Sequence, residues 1–317
     1  MQLFAFVLSL LICSAALADG YLFATFKGEQ TPMTEQIYFV VSQDGRNWQE
    51  LNGGKPTLVS AIGEKGVRDP FLVRKHDGGF VLIATDLSIN RNHNWGRAVT
   101  AGSRSIVIWE SDDLVKWSGP RLVKVSPDNA GCTWAPEAVY DEAAGDYLVF
   151  WASKTADDGF KKHRIWAART KDFKAFDKPF VYIDKEHDVI DTTIVYENGV
   201  YYRFSKDEKH KAITMESSAK LTGPWQDVSG FSLATMQGYE GPECYRLTPA
   251  VEGKPATWCL VLDHYAKGEG YKPWVTHDLS TGMFEPGPGF KFPFRLRHGG
   301  MLPVTTEEMA KLRAAYK

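Results

Sequence analysis

The sequence predicts an all-β fold, a five-bladed β-propeller with one blade closed jointly by N- and C-terminal strands. Three observations predict it. A short polar phrase ending in an aromatic residue occurs five times along the chain. Each phrase sits between strand-like apolar runs. The composition, with 28 Gly, 16 Pro and 13% aromatic residues in 317, suits many short strands joined by tight turns.

The phrase first reads Ser42-Gln43-Asp44-Gly45-Arg46-Asn47-Trp48, then runs 110–117 to Trp117, 170–176 to Phe176, 218–225 to Trp225 and 276–284 to Phe284. The aromatic ends are separated by 69, 59, 49 and 59 residues. A polar turn followed by an aromatic plug is what a hairpin at a sheet rim requires, and all-β repeats of this period indicate propeller blades.

Four strands per repeat follow. Candidates 71–73 and 80–84 precede the second phrase, 138–140 and 147–151 the third, 193–196 and 200–204 the fourth, and 244–247 and 257–262 the fifth. The N-terminal part, 21–26, 37–41 and the Trp48 phrase, supplies only three strands. Its innermost strand must come from the C-terminus near 301–304, which closes the ring and hides sheet edges. Residues 307–315 are rich in helix formers.

Residues 1–18 carry no charged side chain and end in Ala16-Leu17-Ala18, the pattern of a secretory signal peptide cut after Ala18. The apolar run is shorter than the roughly 20 residues of a spanning helix. The expected organisation is therefore a signal peptide over 1–18 and a single five-bladed propeller domain over 19–317, secreted, outside any membrane and monomeric. A net charge of −2 argues against nucleic acid as a partner. Export favours oxidation. Cys244 and Cys259 lie in consecutive strand-like runs where hairpin neighbours could pair. The alternative is that these two and Cys132 are simply buried apolar side chains.

Function is indicated by acids at the starts of the innermost strands, placed by this reading at one phase of the repeat: Asp69 in Val67-Arg68-Asp69-Pro70, Glu137 in Trp134-Ala135-Pro136-Glu137, Asp191 in Ile190-Asp191-Thr192, and Glu240 in Tyr239-Glu240-Gly241-Pro242-Glu243. His298 marks the closing blade. Carboxylates gathered at a channel either bind a metal or separate each other's pKa values into an acid and a base, the split that glycosidic cleavage needs.

In order and spacing, these motifs and the terminal Arg-His-Gly with Met-Leu-Pro-Val-Thr resemble the five-bladed enzymes of glycoside hydrolase family 43. The resemblance spans the whole mature length. It implies inverting hydrolysis of arabinose-, xylose- or galactose-containing oligo- or polysaccharides. Asp69 would be the general base, Asp191 the residue that tunes and orients the acid, and Glu240 the general acid. His298 would face a calcium ion in the central channel, with water in the ion's remaining positions. No organic cofactor is implied. Glu243 rivals Glu240, and Glu137 and Asp191-Thr192 depart from the commoner Asp and Asp-Pro. Asp69 and Glu240 open blades nearly opposite in the ring. That favours the wide carboxyl gap of an inverting enzyme, about 6.5–9.5 Å.

Candidate substrate-binding residues are Trp134, Glu137, Phe71, Asp86, Arg203, Tyr239 and Arg297, with Trp95 and Tyr265 as further aromatics. The insertion at 87–102 could wall off one end of the pocket and favour exo action. The first expected activity is an exo-acting α-L-arabinofuranosidase, with β-xylosidase, galactosidase or galactofuranosidase as alternatives. A non-catalytic sugar-binding propeller is the alternative from another class. A β-fructosidase would need an Asn-Asp-Pro-Asn segment before Asp69. A sialidase would need an arginine triad and a Tyr–Glu pair.

Overall fold

The computed structural model describes residues 19–317, so the signal-peptide expectation for 1–18 lies outside the described residues. Among the described residues, twenty strands form five antiparallel four-stranded sheets. The first complete blade runs outward from Val67–Arg74 through Phe80–Asp86 and Ser105–Ser111 to Arg121–Lys124. The second runs from Trp134–Asp141 to Phe180–Ile183, the third from Val189–Glu197 to Gln226–Asp227, and the fourth from Glu240–Thr248 to Glu285–Pro286. In the closing blade, Gly300–Val304 pairs antiparallel with Gly20–Thr25, joining the two chain ends inside one sheet.

The strands inside each blade are buried on both faces because each blade is sandwiched between two neighbours, whereas the outermost strands, such as Gln226–Asp227 and Glu285–Pro286, are exposed. Five main hydrophobic clusters result, one per interface between blades. In Gly20–Thr25, Leu22 and Ala24 pack toward the first blade, whereas Tyr21 and Phe23 pack toward the fourth, the alternation a pleated strand imposes. The same rule separates the cysteines. Cys244 lies opposite Leu260 and belongs to the interface of the third and fourth blades. Cys259 lies opposite Tyr245 and belongs to the interface of the fourth and closing blades. The two thiols face opposite sides of one sheet, so the pairing expectation is corrected: among the described residues Cys132, Cys244 and Cys259 are free and buried.

Four of the five repeated phrases are turns closed by their own aspartates; in the 218–225 phrase Ser218 Oγ accepts the Lys220 N–H instead. Asp44 Oδ1 accepts the backbone N–H groups of Arg46 and Asn47 at 2.8 and 2.7 Å. Asp113 does the same for Val115 and Lys116, and Asp172 for Lys174 and Ala175. Trp48 and Trp117 plug the turns by donating their indole N–H to the carbonyls of Gly45 and Leu114. The C-terminal helix Thr306–Ala315 begins with a capping box between Thr305 and Glu308.

Candidate active site

A backbone device recurs where the inner strands begin. In each complete blade, two residues of the innermost strand oppose one residue of its partner. These are Asp69-Pro70, Ala135-Pro136, Asp191-Thr192 and Gly241-Pro242. The first residue of each pair is left-handed, with φ of 48°, 47°, 49° and 55° respectively. Such a β-bulge kinks the strand and re-aims a side chain. Three of the four residues carry a Cβ in this disfavoured region, so the fold tolerates strain at the channel mouth.

The bulges supply a common frame, and the frame corrects the expectation that the acids share one phase. Asp69 and Asp191 share the bulge position with Ala135 and Gly241. Glu240 stands one residue earlier, aligned with Arg68, Trp134 and Ile190. Glu137 stands two residues later, aligned with Phe71, Thr193 and Glu243. The acids therefore occupy three levels of one channel.

The upper levels converge. His298 Nδ1 lies 3.5 Å from Asp69 Oδ1 and 3.9 Å from Asp191 Oδ1. Asp191 Oδ2 accepts the N–H of Gly241 at 3.0 Å. A Cβ on Gly241 would lie 2.6 Å from the His298 ring, so glycine is required there by close approach as well as by φ. Thr85 fixes Asp69: its hydroxyl accepts the Ala135 N–H at 2.7 Å and donates to Asp69 Oδ2 at 3.0 Å. Glu240 is held by two cations, Lys206 Nζ and Arg297 Nη2, each 3.0 Å from one of its carboxylate oxygens. Arg297 also bonds Asp263, and Lys206 also bonds Glu208 and lies over the Tyr265 ring.

Electrostatics divide these carboxyls. Burial raises Asp191 to about 6, with Glu240 and Asp69 adding to the rise against His298 and Lys206. Burial would raise Glu240 too, but Lys206 and Arg297 outweigh it and hold that carboxyl below its ordinary value. The site thus prefers its proton on Asp191 over Glu240. One level down, Glu137 and Glu243 are fully buried. Desolvation pushes Glu243 to about 8 even though its Oε1 accepts the Met301 N–H at 2.7 Å. Burial and the nearby Glu243 push Glu137 up as well. These environments separate the rival acids: Glu240 reaches the pocket, and Glu243 is sealed in the channel.

The remaining candidates are scattered. Trp134 flanks a cavity of about 580 Å³ with Trp95, Lys154, His163, Asp188, Ile190, Lys209 and Glu240. The Trp134 ring meets Trp95 edge-on at 6.1 Å and His163 at 5.1 Å. Tyr239 is buried and stacks on His264 at 4.2 Å. Phe71 packs against Gly300 in the channel wall. Asp86 accepts the Glu64 N–H and anchors the 63–64 turn. Arg203 pairs with buried Glu216 and stacks on Trp225 between blades, away from the converging carboxylates. A second cavity, about 590 Å³, opens near Tyr196, Arg246 and Pro303 at the opposite ends of the inner strands, remote from these acids.

Sequence reading missed Arg68, Thr85 and Lys206. Arg68 adjoins Asp69 in a quoted motif and could have been found. Lys206 enters the site only because it pairs with Ile190 across the sheet. As for calcium, no group of three or more His, Cys, Asp or Glu side chains among the described residues is arranged to hold a metal. His298 Nδ1 faces two carboxylates, well short of the six to eight oxygens calcium takes. These side chains alone do not fit the ion.

A family described as "Probable glycosyl hydrolase domain", related to glycoside hydrolase family 43, matches residues 17–310. The chain belongs to this family. An α-L-arabinofuranosidase of Bifidobacterium longum subsp. longum is 29% identical over 269 residues, 72% of this chain and 25% of that protein. The chain therefore spans about a quarter of that relative's length. Among solved structures, an endo-1,4-β-xylanase of Bacteroides thetaiotaomicron superposes with a TM-score of 0.56 at 15% identity, covering 90% of this chain and 97% of that one. The family 43 protein BlXynB of Bacillus licheniformis gives 0.53 at 16%, covering 81% and 47%. These structures share the fold. Among the described residues, no helix is long and apolar enough to cross a membrane.

Proposed function

We propose that this family 43-related chain is a secreted, monomeric, inverting glycoside hydrolase. It removes a neutral sugar from arabinose-, xylose- or galactose-containing oligo- or polysaccharides, with α-L-arabinofuranoside as the first substrate. The observation that carries the reading is the convergence of Asp69, Asp191 and Glu240, from three blades, around His298 and Gly241. Carboxyls whose surroundings pull their pKa values apart are the basis of acid–base division.

Asp69, oriented by Thr85, deprotonates the attacking water. Glu240, which borders the cavity beside Trp134, protonates the leaving oxygen. Asp191 holds the proton at rest and passes it toward Glu240 when a bound sugar displaces water and loosens the grip of Lys206 and Arg297. The α-L-arabinofuranosidase name of the Bifidobacterium longum relative supports the choice of substrate. Residues 29–35 and 88–90 are bonded together beside Arg68, next to Trp95 of the cavity, and this supports exo action. Asn90 donates to the Glu29 carbonyl, and the Glu35 carboxylate accepts from Ser88 and from the Ile89 N–H.

A panel of 4-nitrophenyl glycosides, with and without a chelator, tests the proposal. Turnover of the α-L-arabinofuranoside is expected, and the chelator arm reports whether a channel calcium held through water contributes. Several equal sugar-binding sites with no turnover would replace the enzyme with a sugar-binding propeller.

A further inference from the structure

Arg68 stands in the frame position of Glu240, one residue before its bulge. Its side chain is 7% exposed. The guanidinium lies over the rings of Phe26 at 4.8 Å and Trp95 at 5.2 Å. The Arg297 guanidinium lies over the same Phe26 ring at 5.3 Å. Glu29 Oε2 lies 3.6 Å from Arg68 Nη2 and 3.9 Å from Arg297 Nη1. Both distances exceed a hydrogen bond. Among the described residues, Glu29 Oε2 and Arg68 Nη1 are buried without any hydrogen-bond partner; Glu35 Oε1 is 3.8 Å from Nη1. Buried charged atoms left unbonded are costly. An unused donor on Arg68 and an unused acceptor on Glu29, side chains that approach each other to 3.6 Å, are the complement of two neighbouring hydroxyls.

The geometry points to Arg68 and Glu29 as the recognition end of the sugar pocket. Arg68 Nη1 donates to one hydroxyl of a vicinal diol on the ring being cleaved off, and Glu29 Oε2 accepts from the adjacent hydroxyl. This rests on the proposed hydrolase reading and extends it to the part of the sugar that is read. The ring is neutral, because a sugar carboxylate would meet Glu29 and Glu35. It is the non-reducing-end ring, because residues 29–35 are bonded to 88–90 beside Arg68, whereas the cavity bordered by Trp134, Asp188 and the exposed Lys209 lies beside Glu240 and takes the leaving group.

The test compares wild type, Arg68→Met and Glu29→Gln on the best glycoside of the panel and on its analogues lacking one ring hydroxyl at a time. Wild type should lose about ten- to a hundredfold in kcat/KM when one of two adjacent hydroxyls is removed, as expected for a hydrogen bond to a charged group. Arg68→Met should lose that factor on the parent glycoside and become insensitive to one of the two deletions, and Glu29→Gln to the other. Equal losses for Arg68→Met on parent and deoxy substrates would overturn the inference, since a residue that only pins the wall discriminates nothing. Arg68→Lys and the partly exposed Glu29→Gln carry the same comparison if Arg68→Met does not fold. Turnover with unchanged hydroxyl sensitivity removes this inference alone; absence of turnover on every glycoside removes the hydrolase reading with it.

Discussion

Asp191 Oδ2 accepts the backbone N–H of Gly241 at 3.0 Å, so the third blade's carboxylate is fastened to the residue that follows Glu240. Two acids 49 residues apart in sequence thereby share one rigid mount, and both owe their aim to bulges of the same design.

Asp191→Asn keeps the acceptor for Gly241 but removes the charge. Activity should fall by about 10²–10⁴ in kcat/KM, the range of acid–base assistance. Stability should move the other way. The native pKa is raised to about 6 from 3.8, so the folded state binds more protons than the unfolded state between these values. The wild type therefore loses stability as pH rises through this window. Thermal unfolding at pH 7 should show the variant melting above the wild type, a gain of stability at the expense of function.

Lys206→Met should shift the pH profile. Lys206 and Arg297 hold Glu240 ionised, and an acid must be protonated to act. Removing one cation raises the Glu240 pKa, so the alkaline limb of kcat/KM should move to higher pH. An unmoved limb would mean that Glu240 is not the acid. Glu240→Gln offers a companion readout, since its loss should be worst on poor leaving groups and smallest on 4-nitrophenyl substrates.

Much of the fold was legible because it follows from local chemistry. The Asp44, Asp113 and Asp172 phrases are self-contained turns, so their spacing reveals blades. The C-terminal strand could be placed by counting, because three N-terminal strands lacked an inner partner. Asp69, Glu137, Asp191 and Glu240 were legible as motifs, but their levels were not. A bulge shifts side-chain facing by one residue, and only the pairing register shows that Glu240 precedes its bulge while Asp69 and Asp191 occupy theirs. Arg203 misled because a cation near an inner strand can serve an interface between blades, where Trp225 and Glu216 hold it. Asp86 likewise serves the 63–64 turn.

The buried pair Glu137 and Glu243 should govern alkaline stability. With Glu243 raised to about 8 from 4.5, the folded state retains a proton across that range and wild-type stability declines as pH climbs through it. Glu243→Gln should match wild type near pH 5 and melt roughly several degrees higher near pH 9. A constant difference across pH would refute the assignment.

Reducing agent should leave the melting temperature unchanged. Cys244 and Cys259 lie on opposite faces of one sheet, and the third thiol, Cys132, is also free and buried. A fall of several degrees with dithiothreitol would show a bond that this arrangement forbids.

Proton NMR of the first turnovers of an arabinofuranoside tests the central claim most directly. Action by Asp69 through water, opposite Glu240, delivers a sugar whose anomeric configuration is the reverse of the substrate's. First-formed product of unchanged configuration would contradict this account.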